Sequence, residues 1–289
     1  DAISSGGEDI LFLSARVPSL YAESSFGRTF PRFYIRGLGN TDFDLNANQP
    51  VSLVYDGVVL ENPVLKGFPV FDLDRVEVLR GPQGTLFGRN TPAGVVKFES
   101  AKPTEETEGY VRGAYGRFDT VDLEGAVSGA ILPGKITARL SGLYQSRGDV
   151  VDNTVDLGNR DAFEAFDEYA GRLQVQFDPS DDVSFLVNVH GRDLSGGSRT
   201  FRANAIEPGT NNLVDGFDRF EAQQDAIQEL EVSNTGISLK GDFQIGGGTL
   251  TSLSAYETVS IDARGDVDGG FGWRVGPRYR RPISRTGMV

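Results

Sequence analysis

Five polar side chains crowd one short stretch: Asp42, Asp44, Asn46, Asn48 and Gln49 all fall within LGNTDFDLNANQP, residues 38–50. Carboxylates and amides at this density offer many hydrogen-bonding groups to a ligand, and the D-x-D-x-N start resembles a calcium loop. That resemblance fails where it matters. The sixth position, where a calcium loop needs glycine, is Ala47, and the twelfth, where it places a bidentate glutamate, is Leu53. Two readings stay open: a ligand-binding surface, and a solvated loop of turn-forming residues.

A second stretch, DRVEVLRGPQGTLFGRNTPAGVV (residues 74–96), carries Gly81, Gly84, Gly88 and Gly94. A P-loop needs lysine and then serine or threonine after its last glycine, whereas Gly88 is followed by Arg89 and Asn90. A dinucleotide fingerprint needs a helix next, but the chain passes through Pro92 into the β-rich GVVKF. What remains is the structural use of glycine, for positive φ in turns and for close approach of backbone to backbone.

Other chemistry is thinly supplied. There is no cysteine, one histidine (His190) and one methionine (Met288), which removes the zinc, haem and iron–sulfur ligand sets that depend on them. No nucleophile–base pair or carboxylate dyad stands out, so no catalytic residue, resident metal or cofactor is expected. His190, alone on an alternating pattern, reads as a surface residue. A formal charge of −13 argues against nucleic acid as a partner.

The elements that would position these residues divide the chain. Residues 1 to about 103 mix a helical patch, Glu8 to Arg16, with short strands near Phe33–Arg36, Ser52–Tyr55, Arg75–Leu79 and Gly94–Phe98, an α+β unit. From Gly109 the texture changes to long alternating segments. In KITARLSGLYQSR one parity reads Ile136, Ala138, Leu140, Gly142 and Tyr144, and the other is mostly polar or charged. Comparable segments at 109–117, 120–131, 168–178, 182–193, 233–245 and 249–262 bring the count to about seven strands. Tight connections (132–135, 178–182, 246–248) alternate with long polar ones (148–167, 194–232), apart from a short first connection at Arg117–Thr120. Short turns on one rim and long loops on the other fit a transmembrane β-barrel, while a soluble β-sandwich also alternates. No apolar run reaches the roughly 20 residues that a spanning helix requires.

FYIRGLG (33–39), VYDGVVL (54–60), RVEVLRGPQGTLFGRNTPAGVV (75–96) and KFESAKPT (97–104) resemble, in order and spacing, the plug domain of TonB-dependent outer-membrane receptors. The strands after 108 are similar to the start of that family's barrel. The resemblance implies a fold of an α+β plug domain (1–104) followed by antiparallel strands of an incomplete transmembrane β-barrel (105–271), with an atypical basic tail at 272–289 that holds five arginines and no acid. It also implies transport without bond-making in the Gram-negative cell outer membrane. A small nutrient or siderophore ligand would bind the outer side, and TonB would pull on an N-terminal box that is missing before Asp9. With only about seven strands, the chain reads as truncated or as a fragment.

By the same resemblance, Arg36 and Arg80 would anchor the plug to glutamates of the barrel wall, with Glu77 and Asp74 as candidates for internal pairs. Substrate would meet loop 38–50, and also Glu61, Asn62, Lys66 and Phe68 of loop 60–71. The acidic long connections read as solvated outer loops. An iron–siderophore complex is the leading substrate. Oligosaccharide, cobalamin or haem, a soluble carbohydrate-binding β protein, and a plain diffusion porin are the competing readings.

Overall fold

The structure, a computed structural model, describes residues 9–42, 44, 47–156, 162–203 and 205–270. Asn46 and the basic tail 272–289 lie outside the described residues.

A 3-10 turn (Ile10–Phe12) runs into α1 (Leu13–Arg16), as the helical patch predicts. A hairpin follows, β1 (Leu20–Glu23) and β2 (Arg32–Ile35), of which only the second strand was expected. The next four strands, β3 (Val51–Tyr55), β4 (Val58–Leu60), β5 (Leu73–Arg80) and β6 (Gly94–Ser100), form a mixed sheet ordered β4-β3-β6-β5. Parallel pairing of β3 with β6 explains the apolar run VSLVY, because a strand covered on both faces has no solvated side to mark with polar residues. The glycine-rich stretch turns out to hold a one-turn helix, α2 (Gly84–Phe87), that was not expected. Its glycines do act through the backbone. Gly94 has φ +150°, and a Cβ there would sit 2.2 Å from the Leu79 carbonyl oxygen, so a side chain would push β6 off β5.

The remaining long strands make one antiparallel sheet in sequence order: β7 (Glu108–Gly116), β8 (Thr120–Leu132), β9 (Ile136–Arg147), β12 (Phe166–Ser180), β13 (Val183–Gly196), β15 (Glu229–Ile245) and β16 (Gly248–Arg264). Among the described residues, β7 and β16 are its two edges, and the sheet does not close. Turns at 133–135, 181–182 and 246–247 share one rim, and the long connections share the other with the short turn 117–119. The long connections are more than solvated loops. They contribute β10 (Val151–Asn153), β11 (Ala162–Phe163) and β14 (Glu221–Ala222), which form a three-stranded sheet burying Val151, Phe163 and Ala222.

The register aligns two contrasting rows across the large sheet. Val127, Leu140, Leu173, Val189, Ile237 and Tyr256 lie side by side, each 39–56% exposed. The next row, Ser128, Arg139, Gln174, Asn188 and Ser238, is polar and at most 8% exposed, and it faces the N-terminal unit. The outward row is bounded by rings: Tyr144 and Tyr169 (centroids 4.7 Å apart) towards the long loops, and Phe177, Phe185 and Phe243 towards the short turns. From Tyr169 to Phe177 is roughly 26 Å of strand, or roughly 20 Å once tilted, close to the apolar band of an outer-membrane barrel. Nearer the long-loop rim the inward face turns apolar. Phe166, Leu194, Leu230, Val232, Val259 and Ile261 there join the core of the N-terminal unit.

Candidate functional site

The chemistry of this protein is concentrated where the N-terminal unit meets the inward face of the large sheet. At the tip of the β1–β2 hairpin Gly27 has φ +66°, and a Cβ on it would lie 2.9 Å from the Gly197 carbonyl oxygen, so backbone meets backbone there. Next to it, Arg28 Nε donates to Glu168 at 2.7 Å, and Arg192 Nε donates to the other oxygen at 2.6 Å. Glu168 is 1% exposed. A carboxylate so enclosed needs such partners, since an isolated buried charge is strongly disfavoured. Arg28 also donates to Gln145 and lies 4.2 Å from the Phe166 ring centre.

A second cluster centres on Asp72, just before β5. Arg139 grips it bidentately, Nε at 2.9 Å and Nη2 at 2.6 Å, while Arg172 donates to the Phe71 carbonyl at 2.9 Å and to the Tyr55 hydroxyl. Asp56, in the β3–β4 turn, accepts from Ser100 Oγ (2.6 Å), Lys102 Nζ (2.5 Å) and Asn188 Nδ2 (3.1 Å). Burial works to raise its pKa, but the Lys102 ammonium and the Ser100 hydroxyl outweigh it and hold the carboxyl below its usual value.

Sequence reasoning placed the anchors elsewhere. Arg36 and Arg80 are exposed and form no ion pair among the described residues. Glu77 bonds Arg75 (2.9 Å) and Lys97 (3.1 Å) within the β5–β6 pair, and Asp74 pairs with Arg75, so both tie the small sheet to itself. Contacts with the wall fall instead to Arg28, Asp56 and Asp72 from one side and Glu168, Arg139, Arg172 and Arg192 from the other. A signal for the second group was present: all four share the inward parity of their strands, where charge needs a partner. His190, read as a surface residue, is also inward. Its Nε2 is 3.2 Å from Glu257, and its ring centre lies 6.2 Å from that of Tyr55.

The polar loop keeps part of its expected character. Asp42, Asp44 and Asn48 are exposed, with Asn40 and Asp42 side chains accepting from the backbone two residues on (2.9 Å each), so the loop is shaped by its own turns. Arg32, in the hairpin, donates to the Thr41 carbonyl at 3.1 Å and ties the loop to the side of the long connections. The turn at Gly57 lies at the other end, against Leu253. Gln49 and Lys66 are not on this surface. Lys66 is 1% exposed, donates to Gln49 (3.3 Å) and the Val51 carbonyl (3.1 Å), and burial pulls its pKa down to about 8. Phe68 is likewise in the core, stacked on Tyr55 with centroids 4.4 Å apart. Asn62 caps a turn by accepting from Val64 N. Glu61 takes a two-pronged bond from Arg89, which lowers its pKa and joins two loops. No three or more His, Asp or Glu side chains converge on a metal-sized site among the described residues.

Comparison with known proteins places these features. Residues 4–95 match the family model for the TonB-dependent receptor plug domain. The chain is 31% identical over 127 residues to the pesticin receptor of Yersinia pestis, covering 42% of this chain and 18% of that protein. It is 26% identical over 182 residues to the ferrioxamine receptor of Yersinia enterocolitica, covering 62% and 24%. The ferric yersiniabactin uptake receptor of Yersinia pestis superposes with a TM-score of 0.75 at 20% identity, over 88% of this chain and 38% of its own. For a pyoverdine-bound receptor of Pseudomonas aeruginosa, FpvA, the values are 0.70, 18%, 89% and 33%. The chain thus spans about a fifth of the length of these curated relatives.

Proposed function

We infer the function from one premise: this chain belongs to the TonB-dependent receptors, by the plug domain at residues 4–95 and by the strands that follow it. It is a receptor of the Gram-negative outer membrane and not an enzyme. The reading is import of an iron–siderophore complex, with the plug filling the lumen until TonB displaces it. The names of its relatives carry ferrioxamine and ferric yersiniabactin.

The two faces of the large sheet carry the reading. An outward row of six apolar residues between aromatic belts suits lipid, and is not what a soluble carbohydrate-binding β protein leaves exposed. Nearer the long-loop rim the inward face shares the plug's apolar core, and elsewhere it grips the plug through charges and amides. Such contacts exchange readily for water once the lumen hydrates, so a pull on the plug works against separable bonds while the wall keeps its ladder intact. Asp42, Asp44 and Asn48 face the long-loop side, where a chelate arriving from outside would first touch the plug.

Deletion of the whole gene tests this. On iron-limited medium, loss of radioiron uptake from one class of ferric siderophore, restored by the gene only when TonB is present, is the expected result. Unchanged uptake of every ferric siderophore, or restoration without TonB, overturns it. Loss of haem, cobalamin or oligosaccharide uptake instead reassigns the substrate.

A further inference from the structure

Where the chain leaves β16 at the long-loop rim, three carboxylates stand near one another: Asp266 and Asp268 in DVDGG (266–270), and Asp225 in the connection 194–232. No lysine or arginine pairs with any of them among the described residues. Arg202 donates instead to the Glu221 and Arg219 carbonyls (3.0 and 2.6 Å), Arg264 pairs with Glu229 at 3.5 Å, and Arg199 is exposed. Glu164, a further acid beside this segment, accepts from Thr200 N at 3.2 Å. Asp266 is 5% exposed. Its Oδ1 accepts from the Gly269 amide at 3.0 Å, while Oδ2 is enclosed without a donor, and the Asp268 carboxyl lies within hydrogen-bonding reach of the same side chain. The segment is pressed backbone to backbone onto residues 198–203: Ala203 N donates to the Gly269 carbonyl at 2.7 Å, and a Cβ on Gly269 (φ +67°) would lie 2.8 Å from the Phe201 carbonyl carbon. Two carboxylates in contact and out of water resist joint ionisation; a proton between them relieves the repulsion and gives Oδ2 its missing bond.

We propose that Asp266 and Asp268 share one proton and act as an acid-closed clasp: protonated, they hold the segment after β16 against residues 198–203, and loss of the proton to water releases that segment from the connection 194–232. Burial chiefly, then the Asp268 and Asp225 carboxylates, lifts the Asp266 pKa from 3.8 to about 6, against the pull of the Gly269 amide. A group with a raised folded pKa holds its proton more tightly in the closed form, so the stabilisation is fully present below pH 3.8 and is lost as pH rises through about 6. Across that window the open fraction of this contact should rise about a hundredfold. The clasp acts at the mouth of the lumen, where the connection 194–232 is tied down in acid and freer at neutral pH. It does not depend on what the receptor imports.

The test is amide hydrogen exchange in the full-length receptor in detergent micelles from about pH 4 to about pH 7.5, with each rate divided by its intrinsic value at that pH. Protection of the Ala203 amide should fall about a hundredfold over this range, the fall being complete by about pH 7, while the β12–β13 ladder stays level. Asp266→Asn keeps the shape and supplies a fixed donor, and should hold protection at its acid value throughout. Asp268→Asn removes the like charge and should shrink the fall at least threefold. A flat profile in the unaltered receptor, or a pH dependence that persists in Asp266→Asn, overturns the clasp. Recovery of protection at about pH 7.5 by millimolar calcium or magnesium also overturns it, since a metal ion and not a proton would then join the carboxylates. Radioiron uptake plays no part in the readout, so failure of the import reading leaves this result interpretable.

Discussion

Glu168 offers the sharpest test of how the plug is held. Replacing it with alanine leaves Arg28 and Arg192 facing one another with side chains 10% and 4% exposed and no carboxylate between them. An uncompensated buried charge costs about 3–5 kcal/mol, while wall strands keep every ladder bond, so the loss should fall on plug docking. At 1.4 kcal/mol per tenfold, 3 kcal/mol is roughly a hundredfold rise in the open fraction. The assay is amide hydrogen exchange in the full-length receptor in micelles, comparing the hairpin Leu20–Ile35 with the wall pair β15–β16. Exchange in the hairpin should accelerate about a hundredfold, with β15–β16 unchanged. Glu168→Gln keeps shape and an acceptor and should have a smaller effect. Combining Arg28→Met, Glu168→Leu and Arg192→Met removes all three charges and should recover most of the loss, because a buried triad exchanged for apolar groups of similar size is often neutral or better. Hairpin exchange within threefold of the unaltered receptor in Glu168→Ala, or a triple variant worse than the single one, would refute the idea that Glu168 neutralises two trapped cations.

Lys66 makes plug stability depend on pH in an unusual direction. Its folded pKa of about 8 lies below the ordinary 10.5, so the folded state binds fewer protons and stability rises as pH climbs between those values, by roughly 3 kcal/mol in total. The urea midpoint of the plug should therefore increase from pH 8 to pH 10, and Lys66→Met should flatten that dependence. Leu173→Arg puts a charge in the middle of the outward row and should lower barrel stability in lipid by about 2–4 kcal/mol, seen as reduced heat-resistant folded receptor in outer-membrane fractions. Gln174 is its neighbour on the inward face, and Gln174→Arg should leave insertion intact. Replacing Asp42, Asp44, Asn46 and Asn48 with alanine in the full-length receptor should weaken ferric-siderophore binding at least tenfold; unchanged affinity would move the site to the barrel loops.

The large strands were legible because each alternates by one rule through its middle, although the inward face turns apolar near the long-loop rim. Leu140 and Arg139 adjoin in sequence and lie on opposite faces of the sheet, and seven repetitions of that contrast mark the strands, while a soluble β-sandwich alternates in the same way and the motifs at 33–104 separated the two. The small strands were less legible. LYAE (β1) is too short to show a period, and the turn at Gly27 that pairs it with β2 is recognisable only from the Gly197 backbone pressed against it. Lys66 misled for a related reason. In LENPVLKGFPVF a lysine among prolines and glycine reads as a solvated loop, and its burial is decided by Gln49 and Val51, distant in the chain. Partners of Asp72 and Glu168 were likewise invisible as pairs, since Arg139 is 67 residues from the first and Arg28 is 140 from the second.

The parallel pairing of Asp152 and Asn153 with Glu221 and Ala222 joins two outer connections that no neighbouring strand requires to touch. Asn153 strengthens the join by donating to the Gln224 carbonyl and accepting from its amide, each at 2.9 Å. A cell surface exposed to phages, toxins and antibodies rewards loops that change quickly, but here change is unevenly allowed. Insertions around the Glu207–Asn212 turn, which is stitched mainly to itself, leave the join untouched, whereas a single residue added between Val151 and Asn153 shifts its register and uncouples the two connections. Related receptors should therefore diverge freely at the first place and keep both length and polarity at the second, so that the escape routes open to the bacterium are set by a strand pair only two residues long.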